Sequence, residues 1–317
     1  VLKMKMKKNK LNQKPKWIKS KIPKGDNYLN LKKLTKKNNL HTVCEEAKCP
    51  NLGECWSAGT LTFMILGDTC TRSCGFCAVK TGFGGQIDQL EPKRLARGIE
   101  NLKMNNNNIE HVVITSVNRD DKNIDSAKIF SNSIKEIKKL NLDINVEALI
   151  PDFLGSTDAY DYIIDSAPNV LNHNIETVKR LYKHRQNTGT EKKRAVRPQA
   201  NYERSLKLLK YFSLNSSIVT KSGIMIGLSE EKDEVIECIN DLSNSGCKII
   251  NIGQYLQPTP EHINVSKYYS LEEFENFKFY AENYTRIKIA DCGPMVRSSY
   301  RAEKQLLQLK EKEDSAI

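Results

Sequence analysis

The sequence predicts an α/β fold, a partial (β/α)6-type TIM barrel with an extension at each end. Its 317 residues fit one large domain better than two complete ones. Short β-rich runs alternate with stretches of helical spacing, which indicates βαβ units and a parallel sheet. Six or seven such units in one chain are typical of a barrel or partial barrel.

The predicted strands are short runs rich in β-branched and other apolar residues. In chain order they are Leu61–Leu66, His111–Val117, Ile144–Ile150, Asn169–His173, Gly223–Leu228, Ile249–Tyr255 and Ile287–Ala290. Helices are predicted between most of them, as in Ile124–Leu140, Tyr202–Tyr211 and Glu231–Ser243. We expect the apolar stripes of these helices to pack against the sheet.

Polar residues gather at or near the predicted strand ends. They are Ser116, Arg119, Asp120, Glu147, Asn172, His173, Asn174, Glu176, Lys221, Gln254 and Gln257. Barrels of this kind place their chemistry in the loops at the carboxyl ends of the strands. Any single residue of this set could be a capped turn or a satisfied core group, but the set as a whole predicts a site.

The net charge of +12 belongs to one end of the chain. Residues 1–40 contain fourteen Lys and one acid, Asp26, so they sum to +13 and residues 41–317 sum to −1. A nucleic-acid-binding domain usually has its basic charge on the fold itself, so we expect no nucleic-acid partner. No apolar run approaches the roughly 18 residues of a membrane span.

The basic segment also bears on targeting. It is poor in acids and lacks the apolar core of a secretory signal, which fits the remnant of an organelle presequence. We expect an organelle, either a plastid of the apicoplast kind or a mitochondrion.

Six of the nine cysteines fall into two triplets, Cys44, Cys49 and Cys55, then Cys70, Cys74 and Cys77. A disulfide framework suits a short secreted domain, and structural zinc requires a fourth ligand that neither triplet supplies nearby. Iron–sulfur clusters accept thiolates at such spacings, and three thiolates leave one iron open for another ligand. The spacing favours the iron–sulfur interpretation. The isolated Cys238, Cys247 and Cys292 are expected to be buried and inert.

The second triplet resembles the hallmark of radical S-adenosylmethionine enzymes. It reads Cys-x3-Cys-x2-Cys, follows the first predicted strand and has an aromatic residue, Phe76, before its last Cys. Within that superfamily the chain resembles the lipoyl synthase family, on the stretches Thr42–Trp56, Asn172–Glu176, Thr220–Leu228, Gly253–Pro258 and Arg297–Tyr300. Two places depart from the family pattern: Gly82–Gln89, usually a Gly-Lys-Pro run, and Asn118, where Thr is common.

The resemblance implies two [4Fe–4S] clusters and S-adenosyl-L-methionine as cofactors. The radical-generating cluster would bind Cys70, Cys74 and Cys77, and the auxiliary cluster Cys44, Cys49, Cys55 and Ser299. Ser116, Asn172 and Glu176 are the expected cofactor contacts, and no other catalytic residue is expected. Helix capping by Asn174, and by Ser298 or Ser299, is the alternative role at these positions.

The implied reaction inserts sulfur at C6 and C8 of an octanoyl chain linked to a lysine of a lipoyl domain, with the auxiliary cluster as sulfur source. The expected partners are lipoyl domains of 2-oxoacid dehydrogenase complexes or the glycine cleavage H protein, and an electron donor such as ferredoxin. A methylthiotransferase-like enzyme and a non-enzymatic iron–sulfur carrier stay open as alternatives.

This interpretation divides the chain into four parts. Residues 1–40 are a basic tail, 41–59 an N-terminal cluster-binding extension, 60–292 the partial barrel and 293–317 a C-terminal helical extension that closes the auxiliary cluster.

Overall fold

The protein is described here by a computed structural model. The structure describes residues 14–19, 29, 32–33, 35–36, 41–46, 49, 51–57, 61–105 and 109–315. Most of the basic segment 1–40, for which an organelle presequence is predicted, lies outside the described residues. Among those described, no helix is long and apolar enough to cross a membrane.

The described chain contains twelve strands. They are β1 (His41–Thr42), β2 (Leu61–Ile65), β3 (Thr69–Cys70), β4 (Lys80–Thr81), β5 (His111–Ser116), β6 (Asn145–Leu149), β7 (Val170–Asn172), β8 (Arg185–Asn187), β9 (Lys193–Ala195), β10 (Val219–Ile226), β11 (Ile249–Gln254) and β12 (Ile289–Gly293). The helices are α1 (Val43–Glu46), α2 (Leu52–Ser57), α3 (Glu91–Met104), α4 (Asn123–Lys138), α5 (Thr157–Ser166), α6 (Tyr202–Asn215), α7 (Lys232–Asn244), α8 (Leu271–Tyr284) and α9 (Ala302–Asp314).

One large sheet organises the molecule. Its strand order is β1-β2-β5-β6-β7-β10-β11-β12, and every neighbouring pair from β2 to β12 is parallel, whereas β1 runs antiparallel to β2. The order ends at β1 and β12, so the sheet does not close on itself within the described residues. Helices α3 to α8 form the six crossovers, as a partial (β/α)6 barrel requires.

The crossover helices form because apolar residues recur at helical spacing. In α4 the buried Ala127, Phe130, Ile134 and Ile137 recur every three or four residues and lie on one face. Side-chain caps fix some helix starts, such as the reciprocal pair Ser270 and Glu273 at α8. The apolar faces and the nearly fully buried strands together form one large core, and Ile249, Ile289 and Leu309 form a second, smaller cluster.

All seven predicted barrel strands are confirmed, with shifted ends. The fifth begins at Val219, so Lys221 lies inside β10 instead of preceding it, and the seventh ends at Gly293. Helices α3, α5 and α8 also lie between predicted strands, as the alternating pattern requires. The proposed division of the chain at residues 40, 59 and 292 stays a prediction.

A buried charge cluster crosses the inside of the barrel. The carboxylate of Glu147 on β6 accepts hydrogen bonds from Lys221 Nζ (3.1 Å) and Asn172 Nδ2 (2.7 Å), and lies 3.3 Å from His111 Nε2. Burial alone would raise the pKa of Glu147, but Lys221 and the hydrogen bonds from His111 and Asn172 outweigh it and lower that pKa to about 2. The carboxylate is therefore charged at neutral pH and compensates the buried Lys221.

We expect Glu147→Gln to destabilise the cluster-free chain by about 3 kcal/mol at pH 7, because it leaves the Lys221 ammonium buried without its counter-charge. The folded pKa of about 2 lies below the ordinary 4.5. The carboxylate therefore stabilises the fold above about pH 4.5, and this contribution is lost as the pH falls towards 2. Urea titrations at pH 7 and at lower pH values measure the free energy of unfolding. The difference in this free energy between the variant and wild type should become smaller as the pH falls.

Glu203→Gln is the matched control, because Glu203 pairs with Lys179 on the surface, where both side chains are more than half exposed. It should leave the midpoint of unfolding unchanged. Equal losses in the two variants would contradict a special role for the internal cluster.

Candidate functional site

A cavity of about 490 Å³ lies where the strand-end loops meet the two extensions. Its lining includes all five cysteines of the two triplets whose side chains the structure describes, Cys49, Cys55, Cys70, Cys74 and Cys77. The side chain of Cys44 lies outside the described part of the chain. Ser116, Glu176 and Ser299 also line this cavity, so eight of the ten predicted site residues meet in one place.

The loop that bears the second triplet is clamped from several sides. Cys70 ends β3, which pairs with β4, and Thr71 N donates to the carbonyl of Asn118 (2.9 Å). Gly75 N donates to the carbonyls of Ala195 and Val196, and His262 Nε2 donates to the carbonyl of Cys77 (2.9 Å). The three cysteines are thus presented by backbone that is hydrogen-bonded to distant parts of the barrel.

The thiol groups in this loop are half-buried on the cavity wall. Burial raises the pKa of Cys77 to about 12, and it raises the pKa of Cys74 against the opposing charge of Arg197. The Cys70 sulfur accepts backbone N–H bonds from Arg72 (3.4 Å) and Asn118 (3.3 Å). Thiolates in such a place require a strong positive charge beside them, and bound iron would supply that charge.

The described thiols bear on the three interpretations of the cysteines. The eight described thiols form no disulfide. Among the described residues, no three His, Cys, Asp or Glu side chains converge on a point that would bind a single metal ion. In a [4Fe–4S] cluster each thiolate binds a different iron, so the sulfurs surround a larger space. A cavity rimmed by separated thiols fits a cluster.

Arg72 is a site residue that the sequence analysis missed. It lies between Cys70 and Cys74, is 3% exposed, and donates to Asp120 (2.7 and 2.8 Å) and to Asp152 (2.5 Å). Asp152 also pairs with Arg204, and these partners hold the pKa of Asp152 well below its usual range despite burial. Nothing in the cysteine spacing signals this ion cluster, since its members come from separate loops.

Several buried polar atoms near the cavity have no hydrogen-bond partner among the described residues. They are Arg72 Nη1, Ser116 Oγ, Asn118 Oδ1, Asn174 Oδ1 and Arg197 Nε, and all five residues line the cavity. Buried polar groups are normally paired, so an unpaired set around one cavity indicates a polar ligand. Both donors and acceptors are present, as a zwitterionic nucleoside such as S-adenosylmethionine requires.

The loop after β7 brings Glu176 into the site through an unusual backbone conformation. Glu176 has φ of 68°, a left-handed value that costs energy for a residue other than Gly. Its N–H donates to the carbonyl of Gly223 and its carbonyl accepts from Met225 N, which ties the loop to β10. Burial raises the pKa of Glu176, although Arg197 and Asn174 oppose the shift.

The structure does not bring Asn172 to the cavity, contrary to the prediction. Asn172 is fully buried at the end of β7 and belongs to the Glu147 cluster. Asn174, two residues later, lines the cavity and donates to Glu176 Oε1 (3.1 Å) and Ser298 Oγ. Asn174 caps no helix either, because the next helical turn begins after Val178 without a side-chain cap.

The other polar residues of the predicted set divide in two. Gln257 lines the cavity, whereas Arg119, Asp120, His173 and Gln254 do not. His173 bonds to the Ile150 carbonyl and Ser205, and Gln254 to three backbone carbonyls, so both have structural roles. Arg119 holds the exposed loop that departs from the family pattern, through the carbonyl of Gly85 (2.8 Å).

The two extensions contact each other at the cavity. Asn51 donates to the carbonyl of Met295 (2.5 Å), and Glu54 on α2 accepts from Tyr300 Oη (2.9 Å) and Arg301 (3.0 Å). These contacts bring Cys55 and Ser299 to the same cavity wall. Helix α9 begins after Arg301 without a side-chain cap, so the capping alternative for Ser298 and Ser299 is wrong.

Two family models match the chain. The Radical SAM superfamily model matches residues 64–242, and a model of the N-terminal domain of lipoyl synthase of the Radical SAM family matches residues 2–49.

Curated relatives match almost end to end. The mitochondrial lipoyl synthase of Nematostella vectensis is 46% identical over 92% of this chain and 95% of its own length. The lipoyl synthase of Wigglesworthia glossinidia brevipalpis is 46% identical over 93% of this chain and 89% of its own length. The lipoyl synthase of Halalkalibacterium halodurans is 43% identical over 98% of this chain and 97% of its own length.

Solved structures share the architecture. Streptococcus suis SuiB bound to precursor peptide SuiA has a TM-score of 0.54 at 15% identity, covering 84% of this chain and 53% of that one. The FeFe-hydrogenase maturase HydG from Carboxydothermus hydrogenoformans has a TM-score of 0.52 at 14% identity, covering 89% and 68%. At such identities the likeness concerns the fold, and it confirms the partial barrel.

We expect Gly75→Ala to impair iron binding by the Cys70–Cys77 loop, because an added Cβ would lie 2.5 Å from the Ala195 carbonyl and 2.6 Å from Ile263 Cδ1. The loop must shift to relieve this contact, and the three thiols shift with it. The measurement is iron per chain after anaerobic reconstitution, which should fall by roughly half if the loop binds one of two [4Fe–4S] clusters.

Gly85→Ala is the control, since nothing lies within 4 Å of a Cβ at that position. Full iron in both variants would show that the close packing of Gly75 does not position the ligands.

Proposed function

Since the chain belongs to the lipoyl synthase family of radical S-adenosylmethionine enzymes, we propose that its two cysteine triplets hold two [4Fe–4S] clusters that face one cavity. The main observation in support of this proposal is that thiols of both triplets and Ser299 line the same cavity of about 490 Å³. A sulfur donor and a radical source act on one carbon only if both reach it. The shared cavity supports this requirement.

The reaction inserts two sulfur atoms, at C6 and C8 of an octanoyl chain attached to a lysine of a lipoyl domain. When bound, the cofactors would supply chemistry that no side chain can, radical abstraction of hydrogen from an unactivated C–H bond and the sulfur that takes its place. The chain itself binds and orients the cofactors and the substrate, and it excludes water from them. The lipoyl synthase-specific model at residues 2–49 disfavours the methylthiotransferase-like alternative.

We assign Cys70, Cys74 and Cys77 to the radical-generating cluster. For S-adenosylmethionine we propose contacts from Ser116 and Glu176, with Asn174 in place of Asn172. The unpaired Ser116 Oγ and Asn174 Oδ1 support this assignment. Arg197, buried and held by the carbonyls of Asn174 and Ile175 (3.1 Å each), adds a positive charge that suits the methionine carboxylate.

We assign Cys44, Cys49, Cys55 and Ser299 to the auxiliary cluster, which serves as the sulfur source. The contacts of Asn51 and Glu54 with residues 295–301 support a ligand from the C-terminal segment. A seryl oxygen is a harder donor than a thiolate and poorly matched to iron in a sulfide cage. Such a ligand is readily displaced, which suits a cluster that must be opened.

The octanoyl chain would lie against the apolar part of the cavity wall. That wall includes Val43, Met64, Val117, Leu149, Ile224, Met225, Tyr255 and Leu256. A pocket with apolar walls and a few directed polar groups is typical of such a ligand. Lipoyl domains of 2-oxoacid dehydrogenase complexes, or the glycine cleavage H protein, would present it, and an electron donor such as ferredoxin would reduce the enzyme.

The proposed location is an organelle, a plastid or a mitochondrion. The basic composition of residues 1–40 supports it, as does the relative named mitochondrial. Bacterial relatives of similar identity mean that the family by itself does not determine the location.

The function is tested by anaerobic reconstitution with iron and sulfide. The enzyme is then mixed with S-adenosylmethionine, dithionite and an octanoylated lipoyl-domain peptide. Mass spectrometry should detect a product with two added sulfur atoms. A carrier protein would form no 5′-deoxyadenosine and leave the peptide unchanged, and that result would overturn the proposal.

We expect about eight irons per reconstituted chain, and about half of that after Cys44→Ala, because the auxiliary cluster loses a thiolate. Cys238→Ala is the control, since Cys238 is a buried thiol remote from the cavity lining. Iron analysis and 5′-deoxyadenosine yield are measured together. Full iron and full activity in Cys44→Ala would remove that residue from the ligand set.

Ser299→Ala should still cleave S-adenosylmethionine but insert sulfur at least about ten-fold more slowly, because the auxiliary cluster lacks its oxygen ligand. Ser299→Cys should give a more persistent cluster and a poorer sulfur donor, since a thiolate matches iron better. Quantifying 5′-deoxyadenosine against lipoyl product separates the two steps. If Ser298→Ala abolishes product while Ser299→Ala does not, the ligand is Ser298 and the assignment of Ser299 is wrong.

A further inference from the structure

The backbone just before Ser299 is held by one buried side-chain amide. Asn251, on β11, donates from Nδ2 to the carbonyl oxygens of Arg297 (2.8 Å) and Ser298 (3.1 Å). Asn251 is 2% exposed and lines the cavity. A strand with parallel partners on both sides bears it, so the amide projects from a rigid part of the sheet.

A second amide fixes the orientation of the first. Gln305, on α9, is 3% exposed and donates from Nε2 to Asn251 Oδ1 (3.1 Å) and to Asp291 Oδ2 on β12 (3.0 Å). Because Asn251 Oδ1 accepts this bond, its NH2 group must face the carbonyls of the serine segment. Gln305 and Asn251 thus form a relay from the C-terminal helix to the backbone of residues 297–298.

Close packing of the backbone also fixes the position of this segment. A Cβ at Gly253, two residues after Asn251 on the same strand, would lie 2.1 Å from the carbonyl oxygen of Val296. Only Gly admits the segment so close to β11. The path of residues 296–298 is therefore determined by the sheet before any ligand binds.

We propose that Asn251, oriented by Gln305, is a positioning residue that presents Ser299 to the auxiliary cluster. The inference rests on the proposed ligand role of Ser299. Iron binds a seryl oxygen weakly in a sulfide cage, so the bond persists only if little entropy is lost in forming it. Holding the two preceding carbonyls supplies that preorganisation, whereas the cysteine ligands lie on other segments and do not depend on it.

The test uses the full chain with Cys70, Cys74 and Cys77 replaced by Ala, so that only auxiliary iron is present after reconstitution. Iron transfer to a ferrous chelator is timed, and the EPR spectrum of the reduced cluster is recorded. Asn251→Asp keeps the shape but cannot donate to the carbonyls. We expect iron release to be about ten-fold faster, with an altered EPR signal, as the loss of two hydrogen bonds predicts.

Asn240→Asp is the matched control, since Asn240 makes the same kind of amide contact with Tyr280, between α7 and α8. It should release iron at the parental rate. Gln305→Met is a second variant that retains side-chain length and removes the orienting donor. It should accelerate release a few-fold, and it keeps the inference testable if Asn251→Asp folds poorly.

Rescue separates positioning from general damage. Adding Ser299→Cys to Asn251→Asp should restore slow iron release, because a thiolate binds iron strongly without help from the loop. If Ser299→Ala releases iron no faster than the parent, Ser299 is not a ligand and the proposed function fails at that point. If Ser299→Ala accelerates release while Asn251→Asp and Gln305→Met do not, the ligand stands and the positioning role is overturned.

Discussion

Parallel pairing of the seven barrel strands (β2, β5, β6, β7, β10, β11 and β12) is the constraint on which the site depends. Successive parallel strands all point the same way, so every loop that follows a strand leaves the sheet at one edge. The cysteine loop after β2, Ser116 at the end of β5 and Glu176 after β7 reach one cavity for this reason. An antiparallel sheet would send half of these loops to the opposite edge.

The open ends of the sheet give the extensions their role. Cys55 on α2 and Ser299 before α9 lie 244 residues apart in sequence, yet both line the cavity because Asn51 and Glu54 bond to residues 295–301. In a closed barrel, further strands would occupy the side on which these segments meet. The two ends of the chain thus complete a site that the barrel alone leaves unfinished.

Buried charge is handled in two different ways in this protein. Inside the barrel, Glu147 and Lys221 compensate each other, and beside the cysteine loop Arg72 pairs with Asp120 and Asp152. These closed groups fix geometry. At the cavity, by contrast, thiols with raised pKa and polar atoms without partners are left open, as expected of a site that binds a ligand.

The sequence by itself determined what depends on local spacing. Strand and helix periodicity predicted all seven barrel strands, and the cysteine spacing predicted the iron–sulfur chemistry, because residues a few positions apart share one element or loop. Only the tertiary structure decided that Asn174 and not Asn172 lines the cavity, that Lys221 lies inside β10, and that Arg72 pairs with Asp120 and Asp152. Local spacing does not show where a strand begins or ends, and β7 ends at Asn172, before the loop that bears Asn174. Contacts such as that of Asn251 with Ser298 join positions that no local pattern connects.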